Sequence, residues 1–127
     1  MKTRVLLVDA NDESRASLAE RLRRTGGLEL VGQASDAGDA AQIISRTEPD
    51  VVLIDLHGVD DAPAELCRAL RCLISVPLAV LASFMTPDRW EQLQQAGATR
   101  YLLKQVDTAG LTRALHELGA QYRKHDR

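Results

Sequence analysis

Val51-Val52-Leu53-Ile54-Asp55 is the stretch whose reading decides the fold. Four consecutive apolar residues, mostly β-branched, end on a carboxylate. An unbroken apolar run of this length predicts a strand buried on both faces, as inside a parallel sheet. A carboxylate at the carboxyl end of such a strand lies where open α/β sheets hold their ligands. Val5-Leu6-Leu7-Val8 running into Asp9 repeats the plan. Two acids carried to one sheet edge by two buried strands predict a metal or phosphoryl site.

Working outward, apolar strands alternate with amphipathic segments along the whole chain. Residues 4–9 read as the first strand, and Asp12-Glu13-Ser14 opens a helix with acids at its positive end. Leu18, Ala19 and Leu22 form that helix's buried stripe, and Gly26-Gly27 stop it. Leu28 to Ala34 is a weaker second strand. Ser35-Asp36 caps the next helix, with Ala37, Ala40, Ala41 and Ile44 on its inner face. Pro49-Asp50 separates this helix from the decisive strand, residues 51–55. After the loop from His57 to Asp61, Pro63 starts a third helix with Leu66, Ala69, Leu70 and Leu73 inward. Leu78 to Ala82 is the fourth strand, and Thr86-Pro87 caps and opens a fourth helix anchored by Trp90 and Leu93. Ala96-Gly97-Ala98 ends it. Arg100 to Lys104 contains the fifth strand. Asp107-Thr108 caps a final helix packed through Leu111, Ala114, Leu115 and Leu118. Tyr122 to Arg127 are polar and expected to fray. Five β–α units with short connections predict a mostly parallel sheet covered on both faces.

The 127 residues suit one domain, with 45% apolar residues for its core and only 3% aromatic. Sixteen basic and 18 acidic residues leave a formal charge of −2, which gives no general drive toward nucleic acid or anionic membrane. No apolar stretch is long enough to span a bilayer, and the N-terminus has no signal-peptide pattern, so cytosol is the expected compartment. Cys67 and Cys72 lie five apart in one predicted helix, on different faces, and are expected to be reduced and unpaired.

Three residues line up at the carboxyl edge: Asp9 after strand one, Asp55 after strand three and Lys104 after strand five. In a sheet ordered 2-1-3-4-5, strands one and three are neighbours and their acids share a crevice. Paired carboxylates repel unless a cation or proton intervenes, and magnesium suits oxygen ligands. The Lys104 ammonium can neutralise a phosphoryl group at Asp55, and a carboxylate can itself form an acyl phosphate. The plainer readings are a solvated acid for Asp55 and a helix cap for Asp9; Lys104 gains meaning only from the other two.

On these residues the chain resembles the receiver domain of two-component response regulators. The anchors are Val5-Leu-Leu-Val-Asp9, Pro49-Asp-Val-Val-Leu-Ile-Asp55-Leu56 and Ala96-Gly-Ala-Thr-Arg-Tyr-Leu-Leu-Lys104. Leu30-Val-Gly-Gln-Ala-Ser-Asp36 is similar to the subfamily whose members often carry a C-terminal helix-turn-helix. The resemblance covers the full length. It implies a flavodoxin-like (βα)5 sandwich of three layers, order 2-1-3-4-5, as a single domain over 1–127 with its core at about 4–120. It also implies that Asp55 accepts phosphate from a histidine kinase and that Lys104 contacts the phosphoryl group. Magnesium would be held by Asp9, Asp55 and the backbone carbonyl of His57. The switch positions would be Ala82, Ser83 and Tyr101. The contact surface, including a possible homodimer, would be the face of helix four, strand five and helix five. Such a domain is no enzyme beyond its own phosphorylation and dephosphorylation, and does not itself bind nucleic acid or membrane.

The departures from the family carry information too. A second acid usually follows the first; here it is Ala10, so magnesium is expected to bind weakly. The hydroxyl usual at the end of strand four is replaced by Ala82. Ser83, one residue late, points the other way on a strand. That removes a hydrogen bond of about 1–3 kcal/mol to the phosphoryl group. The loop after the acceptor reads Leu56-His57-Gly58-Val59-Asp60-Asp61, and Gln105 follows the lysine where proline is usual. These losses define the main rival: a degenerate pseudo-receiver that serves as a constitutive interaction module. A phosphatase or flavin carrier of this fold is disfavoured. His57 stands where a second catalytic Asp is expected, and Asp9-Ala10-Asn11-Asp12 is no Gly-rich phosphate loop. His57 reaches the site by backbone or ring, with an exposed loop histidine as the plainer expectation. Tyr101 is expected to be half-buried; His116, His125, Arg23-Arg24 and Arg123-Lys124 are expected at the surface.

Overall fold

The computed structural model describes residues 2–57 and 63–125, with nothing said of the His125 side chain. Gly58 to Asp61, part of the unusual loop, lie outside the described residues, as do the last two residues. The described strands are β1 Thr3–Val8, β2 Leu28–Ala34, β3 Val51–Asp55, β4 Leu78–Ala82 and β5 Arg100–Leu103. They form one parallel sheet in the order β2-β1-β3-β4-β5. The helices are α1 Asp12–Arg23, α2 Ala37–Thr47, α3 Pro63–Leu73, α4 Pro87–Gln95 and α5 Thr108–His125.

Each central strand divides its side chains between two cores, which is why its sequence runs apolar without a break. Val5, Leu7, Val51, Leu53, Ala79 and Leu81 face α1 and α5, meeting Leu18, Leu22, Leu111 and Leu115. Leu6, Val8, Val52, Ile54, Val80 and Ala82 face the other way, toward Ala40 of α2, Cys67 and Leu70 of α3, and Leu93 of α4. All five residues of β3 and all five of β4 are buried. β2 is one of the two edge strands and is mostly half-buried. Its register against β1 shifts between Val5 and Leu6. Gly32, just past the shift, lets α2 approach: a Cβ there would stand 2.5 Å from the Ile43 Cγ2 methyl.

The helix starts follow the capping residues. Asn11, Asp36 and Thr86 each accept a backbone N–H with their side chains at the heads of α1, α2 and α4. Asp107 does the same for the Gly110 amide at 2.7 Å. α4 stops where Gly97 takes φ of 113°, a left-handed value suited to glycine.

Three expectations are corrected. The inner face of α3 is Cys67 and Leu70, with Leu66 half-buried; Ala69 and Leu73 point outward, Leu73 being 60% exposed. The helix is rotated by part of a turn, so its stripe runs through the cysteine. The C-terminal residues do not fray from Tyr122: α5 continues to His125, and Tyr122 packs against the α2–α4 core. Arg123 is not free surface charge. Its guanidinium lies 2.6 Å from Asp50, whose carboxylate also accepts the Arg4 amide at 2.9 Å. This pair ties the end of α5 to the amino-terminal edge of the sheet, opposite the candidate site. Cys67 is buried and Cys72 exposed, both unpaired, as their spacing predicted.

Candidate functional site

The ends of β1 and β3 are adjacent in register, Val8 pairing with Ile54, so Asp9 and Asp55 emerge side by side. Asp9 is 1% and Asp55 8% exposed. β5 ends beside β4, where the Lys104 amide bonds the Ala82 carbonyl at 2.9 Å. From there the Lys104 ammonium reaches across to stand 3.0 Å from Asp55 Oδ1. The contact is a charge contact: among the described residues Oδ1, although buried, has no aligned hydrogen bond.

Asp9 is held from several sides. The Asn11 amide donates to Oδ1 at 2.9 Å, and the Ser14 hydroxyl donates to Oδ2 at 2.5 Å. The first turn of α1 therefore fixes this carboxylate, since Asn11 also caps that helix through the Ser14 amide. His57 closes the arrangement. Its Nε2 lies 2.8 Å from Asp9 Oδ1, 3.0 Å from the Ser14 hydroxyl and 3.6 Å from Asp55 Oδ2. The ring, not merely the backbone, enters the site, which corrects the expectation of an exposed loop histidine. Asp9, Asp55 and His57 each offer a donor atom within 4.8 Å of the others. They line a cavity of about 190 Å³ together with Ala10, Ser35 and Leu66.

The two acids titrate as a pair. Burial raises the Asp55 carboxyl above the usual carboxylate value; Lys104 pulls it down and Asp9 pushes it up again. Burial acts the same way on Asp9, but Ser14, the Asn11 amide, Asp55 and His57 together hold it below the usual value. Of the two, Asp55 is therefore the carboxyl biased toward its protonated form, and a cation in the crevice would oppose that bias. The two carboxylates suit a divalent metal ion, and the imidazole nitrogen adds a donor that magnesium does not favour.

The remaining predicted residues fall outside this cluster. Ala82 is buried on the α2–α4 side of β4, and Ser83 lies exposed past the strand end. Tyr101 is 38% exposed on β5, its ring centroid 5.0 Å from that of Trp90 on α4. It thus lies on the outer face as an exposed aromatic side chain, more open than the half-buried strand tyrosine expected. Ser14 was not singled out from sequence as a site residue. Its only signal was its place in the first turn after strand one, where a hydroxyl can turn back to a strand-end acid.

Residues 5–116 match the family described as the response regulator receiver domain. The chain is 34% identical over 116 residues to the transcriptional regulatory protein LiaR of Bacillus subtilis, covering 88% of this chain and 54% of that protein. It is 31% identical to the DNA-binding transcriptional activator DevR/DosR of Mycobacterium tuberculosis, covering 92% and 54% respectively. The chain thus spans about half the length of these curated relatives. A solved two-component response regulator of the LuxR family from Aurantimonas sp. SI85-9A1 superposes with a TM-score of 0.79 at 26% identity, over 95% of this chain and 87% of that one.

Proposed function

Because this chain belongs to the response regulator receiver domain family, we propose that Asp55 is its phosphoacceptor, within a single receiver unit spanning 1–127. Receiver domains of response regulators are phosphorylated by histidine kinases, and phosphorylation-based signalling is the activity this homology supports. In the proposed step a kinase phosphohistidine gives up its phosphoryl group: the nitrogen–phosphorus bond breaks and a bond forms to an Asp55 carboxylate oxygen. The donor imidazole keeps the bonding electrons. The observation that carries the assignment is the Lys104 ammonium 3.0 Å from Asp55 Oδ1. A fixed cation beside the acceptor oxygen stabilises the charge that gathers there during transfer. A divalent ion held by Asp9 and Asp55 would supply further charge neutralisation when bound. With Ala10 in place of a second acid, magnesium is expected to bind weakly.

The signal would leave through the face of α4, β5 and α5, where Trp90 and Tyr101 meet. That face is the proposed contact surface for a partner or a second copy. Ala82 offers no hydroxyl to follow the phosphoryl group, so coupling to this face is expected to be loose.

Incubation with acetyl phosphate and millimolar magnesium, followed by intact-mass measurement, tests the assignment. One added phosphoryl group in the native protein and none in Asp55→Asn is the expected result. No gain in the native protein, or an equal gain in the variant, overturns it.

A further inference from the structure

The donor set of the crevice differs from what its family name would suggest. Ala10 contributes only a methyl group to the cavity wall, while the His57 ring enters it. Two ligands at right angles, each about 2.1 Å from a small divalent ion, stand about 3 Å apart. His57 Nε2 lies 2.8 Å from one Asp9 oxygen and 3.6 Å from one Asp55 oxygen, which brackets that spacing. Both carboxylates are buried, so their charge is poorly screened and a cation is strongly attracted. Lys104 faces the same group from β5 at Asp55 Oδ1, while Oδ2 is directed toward His57.

Magnesium demands oxygen ligands and dehydrates reluctantly, so an imidazole at the centre of its site is a poor exchange for water or a carboxylate. Imidazole suits cobalt, nickel and zinc, whose affinities for mixed nitrogen–oxygen sites exceed those of the earlier divalent ions. We propose that the Asp9–Asp55–His57 crevice takes a divalent transition-metal ion in preference to magnesium, with His57 Nε2 as a direct ligand. The inference rests on reading this crevice as the domain's cation site. It makes His57 a specificity-determining residue that compensates for the carboxylate missing at Ala10.

The test uses metal alone, without a phosphoryl donor. Cobalt(II) and magnesium are titrated into the native protein and His57→Gln, following cobalt absorption bands, calorimetric heats and the ring-nitrogen resonances of His57. His57→Gln is expected to lose about ten-fold or more in cobalt affinity while magnesium affinity stays within about two-fold. The native His57 nitrogen signal should broaden at stoichiometric cobalt. Asp55→Asn should abolish the same bands. Equal or tighter cobalt binding by His57→Gln overturns the proposal, because the imidazole would then be competing with the ion. So does cobalt binding of unchanged affinity in Asp55→Asn, which would place the metal away from this crevice. Phosphorylation is read separately by mass: a native protein that binds cobalt through His57 but gains no phosphoryl group refutes the acceptor assignment and leaves the metal preference standing.

Discussion

Burial, Lys104 and Asp9 act together on the Asp55 carboxyl, and the net result is a raised pKa. A group whose folded pKa is raised favours folding while protonated, and that advantage is lost as pH climbs through the folded value. At neutral pH, with chelator present, ionised Asp55 therefore weakens the fold. Asp55→Asn should stabilise it by on the order of 1 kcal/mol at pH 7 in urea denaturation. The gain should shrink as pH falls below the usual carboxylate value, where Asp55 is neutral in both states. A destabilised variant at pH 7 would show that the Lys104 contact outweighs burial and Asp9. The charged residues were legible because each follows a strand end, where topology alone dictates position. The His57 ring was not. It follows the strand by two residues, in a loop where no periodicity sets a side chain's direction, and its contacts with the two carboxylates and Ser14 appear only once the chain is folded.

Strands β3 and β4 span residues 51–55 and 78–82 as read from the sequence, because an unbroken apolar run is the mark of a strand buried on both faces. The helix α3 was harder. Its apolar residues Ala64, Leu66, Cys67, Ala69, Leu70, Cys72 and Leu73 cover more than one stripe, so spacing alone admits two rotations. Packing against Val52, Ile54 and Val80 selects the face bearing Cys67 and Leu70. Leu70→Ala should accordingly cost about 2–5 kcal/mol by chemical denaturation. Leu73→Ala should stay within about 0.5 kcal/mol, as expected for an exposed site. Equal costs would restore the alternative rotation. The same rotation sets thiol chemistry. Burial pushes the Cys67 thiol up to about 11, partly offset by Arg71 and Arg68, whereas Cys72 is exposed. At pH 8 a disulfide reagent should titrate one thiol rapidly in native protein and two in denaturant. Two fast thiols in native protein would mean that α3 opens readily.

Across the molecule, the site and the outer face meet through the end of β4. Ala82 pairs with Leu103 in the neighbouring strand and accepts the Lys104 amide, so it touches the elements bearing both the ammonium and Tyr101. A ligand at Asp55 can move that face only through contacts that differ between two states. A hydroxyl at this position would supply one such contact; a methyl group supplies none. A hydrogen bond of about 1–3 kcal/mol corresponds to a five- to 150-fold bias between states. The chain has one tryptophan, and Trp90 leans on Tyr101 at 5.0 Å, so its fluorescence reports on the α4–β5 face with no added label. In the native protein, saturating beryllofluoride with magnesium should bind at Asp55 yet shift Trp90 emission only slightly. Ala82→Thr, a β-branched residue suited to a strand end, should enlarge that shift at equal occupancy. Asp55→Asn should remove it in both backgrounds. A native shift already as large as that of Ala82→Thr would mean that coupling reaches Trp90 without the hydroxyl. The path would then have to run through Lys104 and β5 instead.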